Sequence, residues 1–162
     1  MKYLYIFLAI IAPKLIAAQD ISCRFEEVYS NGQTQEGHIL YTKNKIRYQY
    51  LRDDLFSIFY SKLWKWKVLK NDTKQEINIS QKNLELMMKV KDIFDDFPNI
   101  EKIYSFDSSQ IELELNSTDT FLRSIIIRSQ SANLRIHFYD CSFEPINHVY
   151  LSFNPYFKYP KQ

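Results

Sequence analysis

The sequence predicts a mainly β protein of the α+β kind: a single strongly curved antiparallel sheet with one helix against its concave side. Three observations predict it. Apolar and polar residues alternate along most of the chain, one mid-chain stretch switches to helical spacing, and turn signals separate the alternating runs at short intervals. The chain has 162 residues, 46% apolar and 25% charged, enough for one buried core and too short for two ordinary domains. Residues 1–18 read as a signal peptide and 19–162 as a single domain.

Met1-Lys2 is a short basic start, and residues 3–12 form an apolar run of about ten, the length of a signal-peptide core and too short to span a bilayer. Cleavage after Ala18 places Ile16 and Ala18 at the positions the peptidase reads. Removal of Lys2 and Lys14 leaves the remaining Lys and Arg equal to the 19 Asp and Glu. A neutral mature chain is poorly suited to electrostatic capture by nucleic acid or by an anionic membrane. Asp20-Ile21-Ser22 before Cys23 does not suit a lipid-attachment site, so the product is expected to be exported and soluble. The two glycines, Gly32 and Gly37, lack the spacing of either dinucleotide-binding or P-loop motifs.

Each element has its own signal. Residues 24–29 start the first strand, and Ser30-Asn31-Gly32 is a turn. Residues 37–41 make a second strand, and 45–50 a third with Ile46, Tyr48 and Tyr50 on one face. After Arg52-Asp53-Asp54, residues 55–60 form a fourth. Residues 63–68 alternate again, with Trp64, Trp66 and Val68 sharing a face and Lys65 and Lys67 pointing away; 75–79 is a weaker strand. Ser80 is a helix N-cap, followed by Leu86, Val90, Ile93, Phe94 and Phe97 on one helical face, and Pro98-Asn99 ends the helix. Strands then resume at 103–106, 110–115, 121–128, 134–139 and 148–153, giving about ten in all with hairpin connections. The tail 154–162 carries two prolines and is expected to be irregular.

Cys23 and Cys141 are an even pair at opposite ends of the mature chain, fit to tie the first strand to a late one by a disulfide. Two separate buried thiols, or a Cys-His nucleophile using His137 or His148, are the alternatives. The three histidines, His38, His137 and His148, show no metal-ligand spacing.

The aromatic strand faces carrying Tyr41, Ile46, Tyr48, Tyr50, Trp64 and Trp66, closed by a helix offering Met87, Met88, Val90 and Phe94, outline an apolar cavity suited to acyl chains. The plainer alternative is that the helix fills this space as core.

Residues 35–50 (QEGHILYTKNKIRYQY) resemble the G-x-l-x-x-[KR]-P-x-k-[IF]-R-[FWY]-x-Y segment of LolA-type outer-membrane lipoprotein carriers. In the same order, 61–66 (SKLWKW) resembles the family's G-k-x-[LV]-W-x-Y strand, 83–94 (NLELMMKVKDIF) occupies the place of its lid helices, and 150–155 (YLSFNP) resembles its closing F-x-F-x-P strand. The chain is thus similar to this family over nearly all of its mature length, shortened at the N-terminus.

The resemblance implies an incomplete β-barrel with a helical lid, a LolA-like half-barrel. It implies a periplasmic chaperone for protein transport and lipoprotein localisation, a monomer that receives acylated lipoproteins from an inner-membrane ABC transporter and passes them to an outer-membrane receptor. It implies no cofactor, metal or enzymatic chemistry. By position, Lys43 and Arg47 match basic residues that would contact the lid; for Arg47 a solvent-facing strand position is the alternative.

Two further readings remain. One is a periplasmic binder of a fatty acid or other small apolar lipid on the same fold. The other is a secreted structural or adhesion module without a cavity, for which Asn71, Asn78 and Asn116 supply N-x-[ST] sequons.

Overall fold

The computed structural model describes residues 20–106, 109–117, 121–129 and 133–153. The signal peptide expected at 1–18 and the tail 154–162 lie outside the described residues. Nine strands form one open sheet: β1 (Ile21–Tyr29), β2 (Thr34–Thr42), β3 (Lys45–Tyr50), β4 (Phe56–Ser61), β5 (Lys65–Lys70), β6 (Ile103–Phe106), β7 (Ser109–Leu115), β8 (Leu122–Ser129) and β9 (Asn133–Ser142). The spatial order is β5-β4-β3-β2-β1-β9-β8-β7-β6, and every pairing is antiparallel. Two meanders of hairpins therefore meet at the centre, where β1 pairs with β9. Among the described residues one α-helix, α1 (Gln81–Asp96), connects the two edges, running from the β5 side to β6.

The alternation in the sequence sets the two faces. Phe25, Ile39, Ile46, Ile111, Leu113, Ile125, Ile127, Ile136 and Phe138 point to the side that holds α1 and form one core with Ile93 and Phe94 of the helix. Ser80 caps α1 by accepting a hydrogen bond from the Asn83 amide, which satisfies one of the unpaired first-turn donors. The helix ends just before Pro98.

Cys23 and Cys141 form a disulfide, with Cα atoms 4.1 Å apart. It crosses the central β1–β9 pair beside a register shift between Ser22 and Arg24. Both sulfurs are thus consumed, which removes the separate-thiol and cysteine-nucleophile alternatives.

Two expected strands are absent. Residues 75–79 make only an isolated bridge, Glu76 to Leu69, although the Ile77 amide still donates to the Val68 carbonyl. The segment partly covers the β5 edge without extending the sheet, as an unpaired edge requires. Residues 148–151 form a 3-10 helix, His148–Leu151, capped by the Asn147 side chain. Its alternating apolar residues serve a different purpose: Leu151 is buried and the segment lies over the face opposite α1.

Arg47 explains that placement. It is 2% exposed, lies on the opposite face of β3 from Ile46 and Tyr48, donates to the Tyr150 carbonyl at 2.9 Å and to Gln49 Oε1 at 3.0 Å, and stands over the Phe59 ring. Burial pushes its guanidinium down to about 10, so it remains charged at neutral pH. The approach to β1 joins in, because Asp20 Oδ2 accepts from the Ile146 amide at 2.8 Å. Among the described residues, no helix is long and apolar enough to cross a membrane.

Candidate functional site

Helix α1 meets the sheet in two different ways along its length. Over its C-terminal half the contact is dry and aromatic: Phe94 packs on Tyr41, Phe121 and Phe138, and Phe97 and Phe143 close on Phe121. Here the helix does fill the sheet as core. Over its N-terminal and middle turns, Asn83, Leu86, Met87 and Val90 roof a cavity of about 460 Å³, with Leu86 and Val90 also touching the edge of the core. Its floor and walls come from β1 to β5 and from Ile127, Leu134 and Ile136 of β8 and β9. That volume lies in the range of small-molecule sites, ~300–1,000 Å³.

Of the residues predicted to bind acyl chains, Ile46, Tyr48, Tyr50, Trp66, Met87, Val90 and Phe94 line this cavity. Tyr41 is buried but belongs to the packed half, where its hydroxyl donates to Asp95 Oδ1. Met88 is 48% exposed, because it sits on the far side of the helix from Phe94. Trp64 is 62% exposed. The shared face expected for Trp64 and Trp66 fails because β5 begins only at Lys65, whose φ of 59° breaks the alternation. Trp64 falls in the preceding turn and lines a second hollow of about 350 Å³ with Leu63, Phe59, Leu151 and Phe153.

The two basic residues expected to contact the lid are placed elsewhere. Lys43 is exposed in the turn between β2 and β3. Arg47 points away from α1 and holds the C-terminal segment instead; it is neither a lid contact nor solvent-facing. Of the sequons, Asn71 is buried and fully committed: its amide donates to the carbonyls of Tyr50 and Arg52, and its oxygen accepts from Ser57. A glycan at Asn71 is incompatible with this arrangement.

One cavity residue escaped the sequence reading. Glu27 is 3% exposed and sits in the cavity wall. Its Oε1 accepts from the hydroxyls of Tyr48 at 2.6 Å and Tyr50 at 2.9 Å, and its Oε2 from Tyr29 at 2.5 Å and Tyr50 at 2.8 Å. Burial, joined by the charge and hydrogen bonds of Glu27, pushes all three phenols well above their ordinary value. They therefore keep their protons and act as donors to the carboxylate, which offsets the cost of burying it. The signal was present: Glu27 lies two residues beyond Phe25 on the same strand face.

Gly37 makes the cluster possible. It stands between Phe25 and Tyr50 in the register of β1, β2 and β3, and a Cβ there would lie 2.2 Å from the Phe25 ring and 2.3 Å from the Gln49 carbonyl. The Phe25 ring occupies that space, stacked on Tyr48 with ring centres 3.9 Å apart.

Among the described residues, no group of three His, Cys, Asp or Glu side chains is placed to hold a metal. No known protein family and no curated protein matches the chain.

Proposed function

We propose that the protein is an exported carrier that shelters acyl chains of lipoproteins in the cavity between its sheet and α1, on a LolA-like half-barrel with the helix as lid. The observation that carries this reading is the cavity itself: apolar side chains from β2 to β5, β8 and β9 and from a Met-bearing helix surround a space that packing would otherwise have closed. Each acyl CH₂ buried there is worth about 0.8 kcal/mol, so a lipidated protein gains a soluble route between membranes. The resemblance over residues 35–50, 61–66 and 83–94 supplies the cargo class, and with it a periplasmic location, an inner-membrane transporter and an outer-membrane receptor. The disulfide fits an oxidising compartment.

The test adds purified mature protein to spheroplasts bearing labelled lipoproteins. ATP-dependent release of label as a soluble complex, lost when the acyl modification is blocked, is the expected result. No release, with an apolar fluorescent probe still binding, removes the carrier reading.

That second outcome matches a binder of one small apolar lipid. The volume of about 460 Å³ favours it in one respect, since the space suits a single drug-sized ligand better than the several chains of a lipoprotein.

A further inference from the structure

The polar end of the cavity offers acceptors. The hydroxyls of Tyr29, Tyr48 and Tyr50 all donate to Glu27, and Tyr29 and Tyr50 also hydrogen-bond each other, so the three protons are committed while lone pairs on the phenolic oxygens remain. The rest of the lining is mostly apolar, Ile39, Phe56 and Leu134 among it, with Asn78, Ser80 and Asn83 on the helix side as its other polar groups.

From this arrangement we infer that the cavity selects, among apolar chains, those whose head donates hydrogen bonds and carries no negative charge. The inference rests on the cavity being a binding site and goes on to name its specificity-determining residue, Glu27. A hydroxyl, amide N–H or ammonium finds acceptors already oriented and loses little on leaving water. A carboxylate or phosphate head meets a buried anion whose hydrogen-bond donors are all committed to it. Two anions that close in a poorly solvated site repel strongly. The free fatty acid is therefore the disfavoured member of an otherwise equivalent series, and an ester- or amide-linked chain, which has no free carboxylate, is admitted.

Displacement of the apolar dye N-phenyl-1-naphthylamine by lauryl alcohol, laurylamine and laurate at neutral pH tests this on the mature protein. The three share one chain and differ only in the head. Lauryl alcohol and laurylamine are expected to displace the dye at concentrations roughly tenfold or more below laurate. Equal displacement by all three overturns the head-group selectivity while leaving the cavity reading intact. No dye binding and no displacement overturns both. In Glu27→Gln the preference against laurate is expected to vanish, since the freed phenols become donors; persistence of the wild-type ranking in a folded Glu27→Gln protein overturns the assignment to Glu27. Should that variant not fold, Tyr29→Phe reads the same charge, because it strips one hydroxyl from the carboxylate and is expected to favour laurylamine over lauryl alcohol. An unchanged ratio of the two overturns the proposal.

Discussion

The Tyr41 hydroxyl on β2 donates a 2.5 Å hydrogen bond to Asp95 Oδ1 on α1, 54 residues along the chain. The same carboxylate accepts from Lys91 one helical turn back, and the Lys91 ammonium stands over the Tyr60 ring of β4. Burial, then the bond to Asp95, push the Tyr41 hydroxyl well above its ordinary value, so it remains a donor. This joint lies at the packed half of the helix. It ties the packed half of α1 to β2 and β4.

Tyr41→Phe removes that bond and keeps the ring on Phe94. Its expected cost is about 1 kcal/mol in urea unfolding. With α1 as the proposed lid, loss of this constraint should show in stopped-flow mixing with an apolar dye as faster association. Unchanged association with lowered stability would mean that the helix does not gate entry.

The two tryptophans separate cavity effects from surface effects. Trp66 lines the cavity and touches Tyr60, whereas Trp64 lies exposed in the turn before β5. Trp66→Ala should weaken dye binding severalfold, and Trp64→Ala should leave it within error. Equal effects of the two substitutions would contradict the placement of the site.

The disulfide joins residues 118 apart in sequence. Closing so long a loop restricts the unfolded chain, and losing it typically costs about 2–4 kcal/mol. Reduction, or the double substitution Cys23→Ser with Cys141→Ser, should lower the thermal midpoint clearly. An unchanged midpoint would show that β1 and β9 hold together by their ladder alone.

Gly37→Ala tests the aromatic cluster. The new methyl meets both a ring and a backbone carbonyl, and the carbonyl is held in the β2–β3 ladder. Overpacking of this kind costs about 1–3 kcal/mol, read as a lowered denaturation midpoint. Displacement of Phe25 should also disturb Tyr48 and Tyr50, and with them near-ultraviolet circular dichroism.

His38, half-buried on β2 opposite Arg24, is held below its ordinary value of 6.5, first by burial and then by the Arg24 charge. The unfolded chain therefore binds the proton more readily than the folded one. The stability this group contributes is full above 6.5 and lost as pH falls through the lower folded value. His38→Gln should flatten stability against pH between about 7 and 5. A slope identical to that of the parent would assign the acid sensitivity to other groups.

Much of this molecule could be read from its sequence. Strict alternation over 45–50 placed Ile46, Tyr48 and Tyr50 on one face, and they line the cavity. The shift to helical spacing after Ser80, closed by Pro98, gave α1 nearly to the residue. Local periodicity sufficed in these segments because each buries one face only, and a one-residue slip would turn every side chain the wrong way.

Periodicity failed where a neighbour in space overrode it. Residues 148–153 alternate like a strand, yet His148–Leu151 form a turn of 3-10 helix whose Tyr150 carbonyl accepts from the buried Arg47. Trp64 shares parity with Trp66, yet a positive φ at Lys65 resets the face. The even spacing of Phe25 and Glu27 was visible, but nothing local explains why a carboxylate should be buried there. Three tyrosines from two strands make it tolerable, and they meet only because Gly37 leaves room between β1 and β3. The sequence by itself determined the sheet, the helix and the apolar faces, since burial of one face is a local pattern. The tertiary structure decided where the helix packs as core and where it roofs the cavity, how the polar end of the cavity is built, and which side Arg47 serves. Those outcomes depend on contacts between residues far apart in the chain, and no local pattern encodes them.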